Sequence, residues 1–250
     1  MARYVAAAFI AAYFLAMSWP GLKSGFSHDD LMNLTFTLRD GWAKILTANV
    51  LFFSSTYRPL GALFYRGLFD IFGWNGLPFR IVQFAALSFN LYLLYRLTSK
   101  LTGWKEAGLI AALLLAWHGN FSPLFFGSGN CYDVLGFLFY LTALNYYVSI
   151  RERGIPGFRQ LGILAILHIC GLNSKEFAVT LPLVLLCYEV LRHPASFRRP
   201  AVWPFGEGRA ALLCALLSAA YSAGKMFGPD SLTAQSAYKL QFSAVAYLES

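Results

Sequence analysis

The chain has 250 residues, of which 58% are apolar and 13% charged, with a formal net charge of +8. A soluble chain carries about 25% charged residues, and half that share cannot clothe a globule in water, so a soluble enzyme, a disordered tail and a disulfide scaffold are excluded. A mean hydropathy of +0.53 and long uncharged runs define an all-α fold, a polytopic transmembrane helix bundle. The basic residues sit at the ends of apolar runs and form no stripe, so the charge gives no nucleic-acid surface.

At about 20 apolar residues per crossing, the sequence predicts about seven spans in one transmembrane domain, residues 1–250. They run from Tyr4 to Trp19, Pro78 to Leu97, Ala107 to Phe126, Val134 to Ile150, Phe158 to Asn173, Phe177 to Leu191 and Ala210 to Phe227. The first, with Arg3 ahead of an Ala-rich run, reads as a retained signal anchor. With the N-terminus in the cytoplasm, the inner segments collect Arg96, Lys100, Lys105, Arg151, Arg153, Arg159, Arg192, Arg198, Arg199 and Arg209 against Glu106, Glu152, Glu189 and Glu207. Short inner loops this positive set the orientation of a multi-pass protein. The odd span count leaves residues 228–250 as an outer tail that stops without an anchor, so the chain is expected to be the N-terminal part of something longer. Cys131, Cys170, Cys187 and Cys214 show no CxxC spacing, and no zinc site or disulfide is read.

The first outer loop, residues 20–77, is far longer than a connector needs. Leu31, Leu34, Leu38, Trp42 and Ile45 fall on one helical stripe, with Asn33, Thr37, Asp40 and Lys44 off it. A second stripe joins Leu60, Leu63, Phe64, Leu68, Ile71 and Phe72, with Arg66 and Asp70 paired at i, i+4. Both predict juxtamembrane helices.

At the head of this loop stands Ser27-His28-Asp29-Asp30. A capping box from Ser27 to Asp30 explains the second carboxylate. Neighbours on a helix point about 100° apart, so Asp29 is left uncommitted beside His28. Adjacent ligands on one helix suit a divalent metal poorly, and no metal or cofactor is assigned. In Tyr57-Arg58-Pro59 the proline suits the first position of the second loop helix, and Arg58 is either solvated or a headgroup ligand.

The fifth and sixth spans are too short for a hydrocarbon layer of about 30 Å, which places their shared turn, Asn173-Ser174-Lys175-Glu176, below the outer surface. Asn173 and Glu176 have capping-box spacing for the sixth span. Lys175 must snorkel, pair with Glu176 or line a polar cavity. The third span runs cleanly only to Trp117-His118, and the chain returns through Asp133. One face therefore carries Asp29, Asp30, Arg58, Lys175, His118 and Asp133, parts that can hold a phosphate and take a proton from an acceptor. Asn33-Leu34-Thr35 and Asn120-Phe121-Ser122 are formal glycosylation sequons that lie too near the membrane for modification.

The order of these motifs resembles the GT-C superfamily of integral membrane glycosyltransferases, nearest to the transmembrane and tetratricopeptide-repeat O-mannosyltransferases and their bacterial relatives. The resemblance is carried by Asp29 with Asp30, by YRPLGALFYRGLFDIFG from Tyr57, and by SKEFAVTLPLVLLCY from Ser174 to Tyr188. It implies a polyprenyl-phosphate sugar as donor, with Asp29 as general base and Asp30 its partner. Arg58 and Lys175 are implied clamps on the lipid phosphate, with His118, Asp133 and Glu176 in support. It further implies inversion at the anomeric carbon, a protein or glycan acceptor outside the membrane, and a bacterial inner membrane over the ER. His118 and Asp133 fit the family's hairpin, whereas Phe121, Pro123 and Cys131 replace its second His, its Glu and its Arg. Two other readings stand beside this one: a transporter or flippase for a lipid-linked or anionic substrate, and a truncated, inactive scaffold.

Overall fold

The structure, a computed structural model, describes residues 2–50, 52, 58–119, 123–124, 127–195 and 203–227. Ten α-helices and no strand occur among them. They are α1 (Ala2–Leu22), α2 (His28–Arg39), α3 (Trp42–Ala48), α4 (Pro59–Phe72), α5 (Gly76–Thr102), α6 (Lys105–Trp117), α7 (Cys131–Arg151), α8 (Phe158–Ser174), α9 (Leu181–Arg192) and α10 (Arg209–Phe227). Short 3-10 turns at Ser128–Asn130 and Glu176–Thr180 lead into α7 and α9. Tyr57, Asn120 to Ser122 and the expected tail 228–250 lie outside the described residues.

Among the described residues, three helices are long and apolar enough to cross a bilayer: α5, the continuous run 128–151 that contains α7, and α10. The other expected spans are helical too. However, α6, α8 and α9 have 13, 17 and 12 residues, about 20, 26 and 18 Å at 1.5 Å per residue. The third expected span ends at Trp117, where His118 takes extended backbone, not at Phe126. The sixth begins at Leu181, because residues 176–180 wind as a 3-10 turn.

The main core joins α5, α7, α8, α9 and α10 through Leu93, Leu141, Tyr147, Leu164, Leu185 and Cys214. In a bilayer, lipid tails are as apolar as leucine, so packing and polar bonds hold helices together. Side-chain amides supply them here. Gln83 donates to the carbonyls of Leu124 and Gly127, Asn90 to that of Val134, and Asn145 to that of Leu93. These bonds fix the register of α5 against α7, each contributing roughly 0.6 kcal/mol. They also place the start of α7 about 17 Å down from the start of α5, counting 1.5 Å per residue from Gly76 to Asn90 and back from Val134 to Cys131.

The loop helices form, and the apolar stripes make up only part of their buried faces. The first stripe is split by Asp40-Gly41 into α2 and α3. On α2 the buried residues are Asp30, Asn33, Leu34 and Thr37, while Leu31, Met32 and Phe36 are exposed. Apolar residues that face lipid or headgroups need no burial, whereas polar side chains do need partners. Asn33 finds one in the Tyr65 hydroxyl at 3.4 Å, so the first sequon is a buried packing contact. α4 buries Pro59, Ala62 and Tyr65 and leaves Ile71 and Phe72 exposed. Arg66 and Asp70 pair as expected at 3.0 Å, and Trp42 Nε1 donates to the same carboxylate at 2.8 Å, joining α3 to α4.

Candidate functional site

Asp30 is the centre of a polar knot at the start of α2. The capping box is present: the Asp30 amide donates to Ser27 Oγ at 3.3 Å, and the Ser27 amide donates to Asp30 Oδ2 at 2.8 Å. Oδ2 also accepts from the Ser27 hydroxyl at 2.8 Å and from Arg80 at 3.4 Å. Oδ1 accepts from the Ser128 hydroxyl at 2.6 Å and from Tyr65 at 3.1 Å. Asp30 is wholly buried and Arg80 is 2% exposed. Burial, with the nearby Cys131 thiol and Asp30 carboxylate, pushes the Tyr65 hydroxyl far above the ordinary tyrosine range, so it stays a donor. Its proton is shared between Asp30 and the Ser128 carbonyl, 2.9 Å away.

The two carboxylates of the pair therefore differ in kind. Both oxygens of Asp30 are engaged by at least two donors each, while Asp29 is exposed. Asp29 packs against the 3-10 turn: a Cβ on Gly129 would lie 2.8 Å from the Asp29 Cβ. Only glycine allows that approach. Gly129 stands four residues before Asp133, so the segment that bears Asp133 also packs against the base candidate.

Asp133 accepts from Lys175 Nζ at 2.9 Å. Glu176, next along, accepts two bonds from Arg58, 3.0 Å from Nε and 2.9 Å from the terminal nitrogen. One expectation is corrected here, and one of the three alternatives for Lys175 drops out. Glu176 does not cap with Asn173, which is still inside α8 and donates to the Asn49 carbonyl at 2.7 Å. Lys175 does not pair with its neighbour Glu176, because its extended backbone, φ −154°, ψ 141°, turns successive side chains to opposite sides.

Arg58 is the one non-glycine with positive φ among the described residues, at φ 47°, ψ 69°. It precedes Pro59 at the first turn of α4, a position that disfavours helical backbone of either hand. The strain is held by the two bonds to Glu176 and by the Tyr132 ring, 5.2 Å from the guanidinium carbon. Tyr132 in turn covers Gly61, where a Cβ would come 1.9 Å from ring carbon Cε1.

Burial alone would raise the Glu176 carboxyl, but the Arg58 hydrogen bonds outweigh it and hold the group below the ordinary glutamate range. A depressed folded pKa gives stability that is present above the unfolded value and lost as pH falls through the folded one. Glu176→Gln is thus expected to lower stability at neutral pH by about 1 kcal/mol, after allowance for the 37% exposure of its side chain, and to lower the melting temperature with it. The acid limb of the melting-temperature profile in detergent should flatten in the same variant, and an unchanged limb would contradict the assignment.

An apolar cleft of about 190 Å³ opens beside these pairs, lined by Phe14, Leu87, Leu91, Leu115, Val134 and Phe137, with Asp133, Asn90 and Phe177 also on its wall. His118, exposed at the C-cap of α6, stands two residues beyond Ala116, which also lines the cleft. Of the predicted residues, Asp29, Asp30, Arg58, Asp133, Lys175 and Glu176 are drawn together through the segment 128–133. The site also uses Tyr65, Arg80, Ser128 and Tyr132, which motif spacing does not single out. Only Arg80 leaves a signal in the sequence, as a charge inside the apolar run Pro78 to Leu97. No group of three His, Cys, Asp or Glu that could hold a metal occurs among the described residues.

A helical membrane bundle with a polar site of carboxylates and cations at one end, beside an apolar cleft, is the framework of a membrane glycosyltransferase. The sequence profile of the dolichyl-phosphate-mannose-protein mannosyltransferase family matches residues 56–221, about two thirds of the chain. The chain belongs to this family. No curated protein and no solved structure matches it.

Proposed function

We propose that the chain transfers a sugar from a polyprenyl-phosphate donor to an acceptor hydroxyl at the outer face of the membrane, with inversion. The observation that carries this is the division of the acidic pair. Asp30 is saturated with donors, and Asp29 is exposed on the same turn, next to the segment that bears Asp133.

In the step, the acceptor oxygen forms a bond to the anomeric carbon as the bond from that carbon to the lipid phosphate oxygen breaks. Asp29 takes the acceptor's proton. Charge building on the departing phosphate meets Lys175 and the field of Arg58. One displacement inverts the centre. The donor's tail lies in the apolar cleft. Asp30, with Ser27, holds the turn that aims Asp29 and acts as a positioning residue. His118 is placed toward the acceptor side of the cleft.

Asp29→Asn keeps the shape of an exposed side chain and removes the base. Transfer from a polyprenyl-phosphate sugar should fall by roughly 10²- to 10⁴-fold, with the melting temperature unchanged. Undiminished transfer would sink the base assignment. If the wild-type chain instead carried a lipid-linked substrate across vesicles without cleaving it, the transporter reading would replace this one.

A further inference from the structure

The two cations of the site are held very differently. Arg58 gives two hydrogen bonds to Glu176, stacks on Tyr132 and is fixed by its own backbone. Its side chain is 15% exposed. Lys175 has one recorded ion-pair contact, at 2.9 Å to Asp133, and the two side chains are 25% and 41% exposed. An ammonium is a point charge on a flexible stem, and it can exchange one anion for another without giving up a forked geometry.

The place of the Lys175 pair matters as much as its looseness. Among the described residues Asp133 is the one charged side chain on the wall of the apolar cleft, and Phe177, two residues after Lys175, lines it too. A molecule with an isoprenoid tail in that cleft would bring its head to Asp133 and Lys175. A carboxylate and a phosphate cannot both sit against one ammonium without repelling each other.

Resting on the donor reading above, we propose that Asp133 and the donor phosphate compete for Lys175. The carboxylate keeps the ammonium neutralised at the rim of the cleft, and a lipid monophosphate displaces it. Lys175 then holds the phosphate directly, and Arg58 stays bound to Glu176 throughout as the fixed wall behind it. Asp133 thereby selects for ligands that bring both a tail to fill the cleft and a charge to replace its own. A free phosphate lacks the first, and a neutral isoprenol lacks the second. The freed Asp133 carboxylate turns toward the solvent-facing side of the cleft.

The test uses the chain in lipid nanodiscs and a C20 isoprenyl monophosphate as probe, with the matching isoprenol and inorganic phosphate as controls. Asp133→Asn removes the competitor at constant shape and is expected to tighten monophosphate binding by several-fold to about tenfold. Lys175→Met is expected to weaken it by at least about tenfold, and adding Asp133→Asn to that background should then change nothing. The isoprenol should bind all four proteins alike, and inorganic phosphate should not displace the monophosphate.

If the wild type binds the monophosphate but Asp133→Asn leaves the affinity unchanged or weaker, the competition is overturned and the donor reading stands. A wild type that does not bind the monophosphate overturns both. If inorganic phosphate competes as well as the lipid does, the cleft has no part in selection and the proposal fails on that arm.

Discussion

Asp30→Ala is expected to destabilise the protein by about 3–5 kcal/mol, while Asp29→Ala, one residue away, should stay within about 0.5 kcal/mol of wild type. The difference follows from what each removal leaves behind. Without Asp30, Arg80 is a buried cation at 2% exposure, left with the Gly25 carbonyl as its recorded partner. The Ser128 hydroxyl and the Ser27 amide lose their acceptor, and the Tyr65 hydroxyl keeps the Ser128 carbonyl as acceptor and Asn33 as donor. Breaking a buried pair from one side costs far more than the pair itself contributes, because a charge remains without a counter-ion. The double variant Asp30→Leu with Arg80→Leu should therefore recover much of the loss seen in either single change. Unfolding in detergent, followed by tryptophan fluorescence, measures all of these. An Asp30→Ala protein as stable as the wild type would contradict the anchoring role and reopen Asp30 as a base.

This contrast also shows how far the sequence could be read. The Ser27 to Asp30 capping box, Pro59 at the start of α4 and the Arg66–Asp70 pair are contacts within four residues, and helical geometry alone foretells them. Arg58 with Glu176 is separated by 118 positions and Arg80 with Asp30 by 50. Such bonds depend on how helices are docked, which no local periodicity encodes. The arrangement of the spans brought Arg58, Lys175 and Asp133 to one face, but it could not say which anion each cation holds.

On α2 the apolar stripe gives only part of the buried face. Leu34 is buried and Leu38 half-buried, but Leu31 stays outward while Asn33 and Thr37 turn in, because a stripe demands burial only where the alternative is water. The seven spans were counted by composition, which foretold the shortness of α8 and α9 but not that α6 ends at Trp117.

At the opposite end of the bundle, Glu189→Ala is expected to cost about 3–5 kcal/mol and to leave the proposed sugar transfer intact in whatever protein remains folded. Arg151, Glu189 and Glu207 enter the charge count as inner-loop residues, but they meet in one cluster. Arg151 donates to Glu189 at 2.9 and 3.1 Å and to Glu207 at 2.9 Å, and Tyr147 donates to Glu189 at 2.6 Å. Glu189 is fully buried and Arg151 is 7% exposed. The cluster ties the end of α7 to α9 and to the approach to α10, below the main core. Removing Glu189 strips Arg151 and the buried Tyr147 hydroxyl of their shared acceptor. Glu207 is 37% exposed, so Glu207→Ala should cost no more than about 1 kcal/mol. Because the cluster touches none of the residues around Asp29 and Lys175, the surviving Glu189→Ala protein should show an unchanged KM for the lipid-linked sugar and a turnover reduced only in proportion to the folded fraction. A raised KM at full folded fraction would show that the two ends of the bundle are coupled, and that the inner cluster belongs to the catalytic cycle as well as to the fold.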